Sequence, residues 1–229
     1  MRERRGRVIE ARPLANRVTL VSIACVDPPI ATAQAGQFVS LRVPGVGRRS
    51  YSLVSRAGEI DRFDIVLKAA VPAGGTAELV RALAPGTEVS FFGPMGYFMY
   101  ETLECSAVLF GATGVGISAL LPMINEALAG QAPSVELFWG LREPADLFFE
   151  DRLDALAEGG RFTYTIYYSS NGDGYMTEPL VARAIEAPRP QIYLCGHGQM
   201  IADVSARLRG KIEKARIHTE VFYPVISAD

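Results

Sequence analysis

Arg49-Ser50-Tyr51-Ser52, with the apolar step Leu53-Val54-Ser55 behind it, reads as a strand that carries a cation, an aromatic ring and hydroxyls in alternation. Side chains on a strand alternate between its two faces, so Arg49 and Tyr51 share one face and Ser50 and Ser52 the other. A ligand lying across the strand's end meets a charge clamp, a stacking surface and a small hydrogen-bonding group. That set suits a large planar cofactor with a phosphate tail, such as a flavin nucleotide. Such a tetrapeptide alone is more often an ordinary edge strand. The order of the motifs around it decides.

The chain has 229 residues, 49% hydrophobic and 21% charged, which is ordinary globular composition for one large or two modest domains. A formal net charge of -2 gives no basic field for nucleic acid or an anionic membrane. The opening Arg2-Glu3-Arg4-Arg5 is followed by no apolar h-region, which speaks against a secretory signal, and no apolar run approaches a spanning helix. Cys25, Cys105 and Cys195 lie far apart, so this chain cannot supply the four thiolates of a conventional iron–sulfur cluster. Sparse, unpaired cysteines point to a reducing compartment, the cytoplasm. With only His197 and His218, no metal site is expected.

Residues 7 to about 100 read as β. Val8-Ile9-Glu10-Ala11, Val18 to Ile23, Gln37 to Val43, Ser50 to Ser55, Phe63 to Lys68 and Glu88 to Phe92 are short strand patterns separated by Gly/Pro turns such as Pro44-Gly45-Val46-Gly47. Such strands predict a small antiparallel barrel or sandwich. Ala73 to Leu83 interrupts them as a glycine turn opening a short helix, with Thr76 as its cap. Free N–H groups at such a helix start suit an anion.

After Gly93-Pro94-Met95-Gly96 the pattern changes. Ala107 to Phe110 is a buried strand, Gly111-Ala112-Thr113-Gly114-Val115-Gly116 a glycine loop, and Ile117 to Ala129 a helix that Pro122 should bend. Val135 to Trp139, Phe162 to Tyr168, Gln191 to Cys195 and Ile217 to Phe222 read as strands. Leu147 to Glu158, a segment capped by Thr177, and Gly198 to Arg209 read as helices. Alternating strands and helices predict a doubly wound parallel sheet, whose ligands sit at the carboxyl ends of the strands. The expected architecture is therefore two domains, 1–100 as the barrel and 101–229 as the α/β sheet.

The glycine loop is not a Walker loop, because no Gly-Lys-Ser/Thr follows, and it is shorter than the G-x-G-x-x-G fingerprint. It still lets a diphosphate approach the backbone, unless it is only a tight strand-to-helix turn. Cys195-Gly196-His197-Gly198-Gln199-Met200 ends another strand, and Cys195 reads as a small buried residue or as a polarizable thiol beside a nicotinamide ring.

In this order the motifs resemble the ferredoxin–NADP reductase superfamily of flavoproteins, from about residue 7 to 224. The resemblance implies FAD as cofactor and NAD(P)H as co-substrate. Arg49, Ser50, Tyr51 and Ser52 match its Arg-x-Tyr-Ser motif, with Arg49 on the flavin diphosphate, Tyr51 against the ring and the Ser52 hydroxyl near N5. The resemblance adds Val66, Lys68 and Phe222 to the flavin site, and Gly74, Gly75 and Thr76 as a second phosphate loop. Gly93-Pro94-Met95-Gly96 is similar to the family's segment between domains. For the nucleotide it implies Gly111, Thr113, Gly114, Gly116, Arg142, Ser169, Cys195, Gly196 and Met200. Glu220 resembles the acid of a terminal Glu-x-Phe, so that Ser52, Cys195 and Glu220 are the implied catalytic residues bordering hydride transfer. Ser169-Ser170-Asn171-Gly172-Asp173 carries no cation for a 2′-phosphate, which favours NADH, although the serines can bind a phosphate and Arg142 is a candidate neighbour in the fold.

The family also implies a separate electron acceptor, a ferredoxin, iron–sulfur or oxygenase component, with no nucleic acid and no membrane insertion. Two other readings stay open on the residues alone: a flavin reductase that releases free reduced flavin, and a non-catalytic docking subunit that keeps only the fold.

Overall fold

The computed structural model describes residues 2–27, 30–43, 47–54, 58–69, 80–130, 132–172 and 174–222. The chain divides into two compact units, one up to Met99 and the other from Tyr100.

The first unit is built on β1 (Arg4–Ala15), β2 (Val18–Cys25), β3 (Ile30–Ala33), β4 (Phe38–Val43), β5 (Gly47–Ser52), β6 (Gly58–Ile60), β7 (Arg62–Lys68) and β8 (Glu88–Met95). Six of these form one antiparallel sheet in the order β5-β4-β8-β1-β2-β7, and β3 pairs separately with β6. Alternation sets the core. Val39, Leu41 and Val43 of β4 turn inward with Phe63, Ile65 and Leu67 of β7 and with Val89 and Phe91 of β8. Phe63 and Phe91 meet edge to face at 4.9 Å. Burying such a ring is worth about 1.5–3 kcal/mol. The sheet is barrel-like without closing. Edge strands β5 and β7 share no ladder, and just past β5 the Val54 N–H donates to the Asp64 carbonyl at 2.9 Å.

The second unit alternates β9 (Ala107–Thr113), α1 (Ile117–Ala129), β10 (Val135–Leu141), α2 (Glu150–Ala157), β11 (Phe162–Tyr168), α3 (Thr177–Glu186), β12 (Pro190–Gly196), α4 (Gly198–Leu208) and β13 (Ile217–Val221). All pairings are parallel, in the order β11-β10-β9-β12-β13. Ala107, Leu109, Ile192 and Leu194 pack on one face against Leu180 and Ala184 of α3 and Val204 and Leu208 of α4. Helix α1, outside that cluster, buries Ile117, Leu120, Leu121 and Ile124 and packs on β9, β10 and β12. No described helix is long and apolar enough to cross a membrane.

Several local expectations are corrected. The β5 strand spans Gly47–Ser52, so Leu53 and Val54 lie beyond it, and β8 runs on to Met95. The helix expected from Leu147 begins at Glu150. Phe149 takes a left-handed conformation (φ 62°), its carbonyl receives the Arg152 and Leu153 N–H groups, and Phe148 packs edge-on against Trp139 at 5.1 Å. Aromatic packing there outweighs helix propensity. Thr177 is the first helical residue of α3, not its cap. Met176 holds the cap position and no side chain caps the end. Helix α1 runs unbroken through Pro122. Residues 80–82 are helical, while the glycine turn before them falls in 70–79, outside the described residues.

Candidate active site

In the first unit the candidate residues Arg49 to Ser52 lie on edge strand β5, which pairs with β4 alone among the described strands. Tyr51 is half-buried against the sheet's core, and burial pushes its phenol well above the ordinary value, with nearby Arg49 pulling the other way. The Arg49 guanidinium donates to the Arg48 carbonyl at 2.8 Å and has no carboxylate partner among the described residues. Arg48, by contrast, is engaged: it lies 3.6 Å from Glu3 and 4.4 Å above the Phe92 ring. Ser50 is exposed. Ser52 is buried, and its hydroxyl has no hydrogen-bond partner among the described residues. Val66 lies on the face of β7 away from Ile65 and Leu67 and is nonetheless buried. Lys68 is exposed on that same face. Gly74, Gly75 and Thr76 lie outside the described residues.

In the second unit the candidates gather at the carboxyl ends of β9, β12 and β13. Gly111 is corrected: it sits within β9, and a Cβ there would meet Leu180, Leu194 and Met176 at 2.7–2.9 Å. Its glycine is required by helix packing, and the loop proper is the 3-10 turn Gly114–Gly116. That turn is tightly held. Trp139 Nε1 donates to the Gly114 carbonyl at 2.9 Å, and Ser118 Oγ donates to the Val115 carbonyl at 2.6 Å. A Cβ on Gly116 would stand 2.2 Å from the Cys195 carbonyl oxygen. Gly196 has φ +134°, and a Cβ there would stand 2.2 Å from Thr113 Oγ1. The same Thr113 hydroxyl accepts the His197 N–H at 2.8 Å. The start of α1 has no side-chain cap and no acid in its first turn. Uncapped N–H groups there suit a phosphate.

Cys195 and Glu220 face each other across β12 and β13. Cys195 is fully buried; burial pushes its thiol up strongly, and Glu220 adds to the shift. Burial raises the Glu220 carboxyl to about 7, and its Oε2 has no partner among the described residues. Phe222 follows β13, and its N–H donates to the Gly196 carbonyl at 2.8 Å. Met200, in the first turn of α4, is buried in the helix cluster. Ser169 begins the 3-10 turn after β11, and the Ser170 N–H donates to the Arg142 carbonyl at 2.9 Å. Arg142 is exposed, with no carboxylate partner among the described residues.

These residues fit the implied groups. A guanidinium without a carboxylate partner and an uncapped helix start both suit phosphates. An orphaned buried carboxyl oxygen beside a buried thiol suits a neutral ring with an amide. The sequence reading missed the supports: Trp139 as a donor, His197, whose Nδ1 accepts the Gln199 N–H and caps α4, and the placement of His218 two residues before Glu220. Period-two spacing in Ile217–Val221 was the available signal for the last.

Residues 27–100 match the family model of the oxidoreductase FAD-binding domain, and residues 110–206 that of the oxidoreductase NAD-binding domain. The chain is 31% identical to ferredoxin–NADP reductase B of Sorangium cellulosum over 233 residues, covering 94% of this chain and 95% of that one. The chain belongs to the ferredoxin–NADP reductase superfamily. This member of the superfamily is an FAD-dependent oxidoreductase that uses NAD(P)H. It is 26% identical to the propane 2-monooxygenase reductase component of Rhodococcus jostii over 86% of this chain, and spans 57% of that longer relative. Among solved structures, the Amycolatopsis cytochrome P450 reductase superposes with a TM-score of 0.86 at 27% identity, covering 97% of this chain and 70% of that one.

Proposed function

We propose that this chain is the reductase of a multi-protein system, holding FAD on its first unit and NAD(P)H on its second, and passing electrons to a separate iron–sulfur, ferredoxin or oxygenase partner. The observation that carries the reading is the Cys195–Glu220 pair, whose buried, unpartnered carboxyl oxygen lies at the same sheet end as the Gly114–Gly116 turn. Relatives named as reductase components support the partner, and this chain's three cysteines cannot hold a four-thiolate cluster of their own.

The residues divide the work. Arg49 clamps the flavin diphosphate, with two parallel N–H bonds available from one guanidinium. Tyr51 and Val66 supply apolar surface, and Lys68 and Ser50 polar contacts at the rim. The Ser52 hydroxyl donates or accepts at the reacting edge of the ring. Gly74, Gly75 and Thr76 are assigned to the second phosphate contact, and Phe222 to the ring's cover. Thr113, Gly114 and Gly116 bring backbone to the nucleotide diphosphate, while Gly196 and Met200 shape the pocket beside it. Flavin held by these residues would supply the acceptor for a hydride; the protein supplies position and electrostatics. Cys195 presents a neutral, polarizable thiol there, and Glu220 a carboxyl that holds or yields a proton near neutral pH.

NADH is the proposed donor, because the Ser169–Asn171 turn carries no cation; Arg142, tied to that turn through its carbonyl, is where a 2′-phosphate would be held if NADPH were preferred. The cytoplasm is the proposed compartment on the sparse, unpaired cysteines. The test is the visible spectrum of the purified protein before and after anaerobic NADH, then NADPH. A flavin band bleached faster by NADH is expected. A colourless protein that takes up no FAD would sink the reading, and saturation of turnover by added free flavin would favour a flavin reductase instead.

A further inference from the structure

Trp139 is the one tryptophan of the chain, and it is fully buried near the carboxyl end of β10. Its neighbour Phe138 belongs to the cluster under α3 and α4, so Trp139 turns to the opposite face of the sheet. There the indole Nε1 donates to the Gly114 carbonyl at 2.9 Å. An aromatic wall holds the ring in place. Phe148 meets it edge-on at 5.1 Å, Phe149 meets Phe148 edge-on at 5.0 Å, and the Arg152 guanidinium lies 4.4 Å above the Phe149 ring. Phe149 keeps a left-handed φ of 62° in that stack. Such a conformation persists only where the surroundings impose it, and it clusters at functional sites.

Gly114 stands where the backbone is loosest. Its φ is +53°, a conformation open to glycine and costly to most other residues, and a glycine is the residue least able to hold its own peptide plane. A peptide unit is planar and trans, so its C=O and N–H point in opposite directions. Holding the Gly114 carbonyl on the buried indole therefore aims the Val115 N–H away from it. Ser118 Oγ holds the next carbonyl, that of Val115, at 2.6 Å. We propose that Trp139 is a positioning residue for the nucleotide: through the Gly114 carbonyl, its indole N–H sets the peptide plane that presents the Val115 N–H to the diphosphate. The choice of side chain suits the task. Phenylalanine would fill the same wall but carries no donor. The indole nitrogen donates only, so it holds a carbonyl and cannot take up an N–H of the turn, which stays available to an anion.

The inference rests on the nucleotide half of the reductase reading, and its test separates the two. Because the chain has a single tryptophan, incorporating 3-benzothienylalanine in its place alters position 139 alone, keeping both rings and exchanging the N–H for sulfur. The KM for NADH in flavin bleaching and the calorimetric Kd for NAD+ are both expected to rise roughly three- to tenfold, with flavin occupancy and the bleaching rate at saturating NADH within about twofold of wild type. Unchanged NAD+ affinity overturns the positioning role. A loss shared equally by flavin occupancy and nucleotide affinity also overturns it, because that is the signature of lost packing. Should the substituted protein not fold, wild-type protein decides by NMR. Its single indole N–H resonance is expected to move on adding NAD+, with the calorimetric Kd, and a resonance that stays still overturns the inference. A wild-type protein that takes up no FAD sinks the reductase reading, while the NAD+ titration still decides Trp139. A wild type that binds FAD and bleaches, matched by the analogue in every reading, sinks the role of Trp139 alone.

Discussion

Strand β5 of the first unit and the β9–β12 end of the second present their proposed ligand groups in opposite ways. On β5 the groups are side chains on an edge strand: Arg49, Tyr51 and Ser52 project from a backbone that, among the described strands, pairs only with β4. At the β9–β12 end the groups are largely backbone, and side chains serve to hold it. Trp139 grips Gly114, Thr113 grips His197, and Gly116 and Gly196 are glycines because neighbouring atoms occupy the Cβ positions. A side-chain site tolerates local change and loses one contact at a time. A backbone site fails as a unit when its approach distance is lost.

The largest effect is therefore expected from Gly196→Ala. The new methyl would stand 2.2 Å from Thr113 Oγ1 at a left-handed φ of +134°. The cost should be on the order of 3 kcal/mol, a fall in melting temperature of roughly 6–12 °C for a chain of this size. NADH binding should vanish with it. Gly172 supplies the contrast: its φ is +80° but its Cβ position is open, so Gly172→Ala should cost only about 1 kcal/mol. If both variants melt alike, backbone conformation alone sets the cost and the close approach is not what requires Gly196.

Arg49→Ala breaks the comparison from the other side. Its guanidinium meets only the neighbouring Arg48 carbonyl among the described residues, so the apo fold should melt within about 1 °C of wild type. Flavin retention should weaken roughly 10- to 100-fold, the worth of a charge-assisted bond to phosphate at about 1.5–3 kcal/mol. Ultrafiltration followed by absorbance reads both the bound and the released flavin. Full occupancy at low flavin concentration would remove Arg49 from the clamp.

The same contrast explains how much was legible in the sequence. Alternation in Phe38–Val43 and Arg62–Lys68, and the all-apolar Ala107–Phe110, placed strands correctly because burial leaves a period in the chain. Arg49, Tyr51 and Ser52 stand out as candidates in the sequence because their chemistry is in their side chains. Gly111 was assigned to a loop because glycine marks close approach without saying to what; here the partners are Leu180, Leu194 and Met176, distant in sequence. Thr177 looked like a cap, but the α3 start is set by Met176, a buried core residue. The buried row Gln191, Tyr193, His218 and Glu220 depends on the β12–β13 register, a long-range pairing that no local pattern records.

The smallest effect expected concerns pH and belongs to the second unit alone. Burial raises the Glu220 carboxyl to about 7, against an ordinary value of 4.5. Below about pH 4.5 both folded and unfolded chains hold the proton, and the group contributes nothing to pH dependence. Between 4.5 and 7 the unfolded chain releases a proton that the folded chain keeps, so folded stability falls as pH rises through that window. Above 7 the loss is complete. Glu220→Gln removes this dependence, so its stability relative to wild type should rise between pH 4.5 and pH 8 by at most about 3 kcal/mol, and by about 1–2 kcal/mol once solvent screening of a partly exposed carboxyl is allowed for. Urea unfolding followed by the fluorescence of Trp139, the one tryptophan and fully buried beside β9, reads that unit. Strand β5 carries no carboxylate, so Arg49→Ala should show no such window. A Glu220→Gln difference that stays constant across pH would mean that the carboxyl ionises as it does in water, and Glu220 would then have no proton to offer near neutrality.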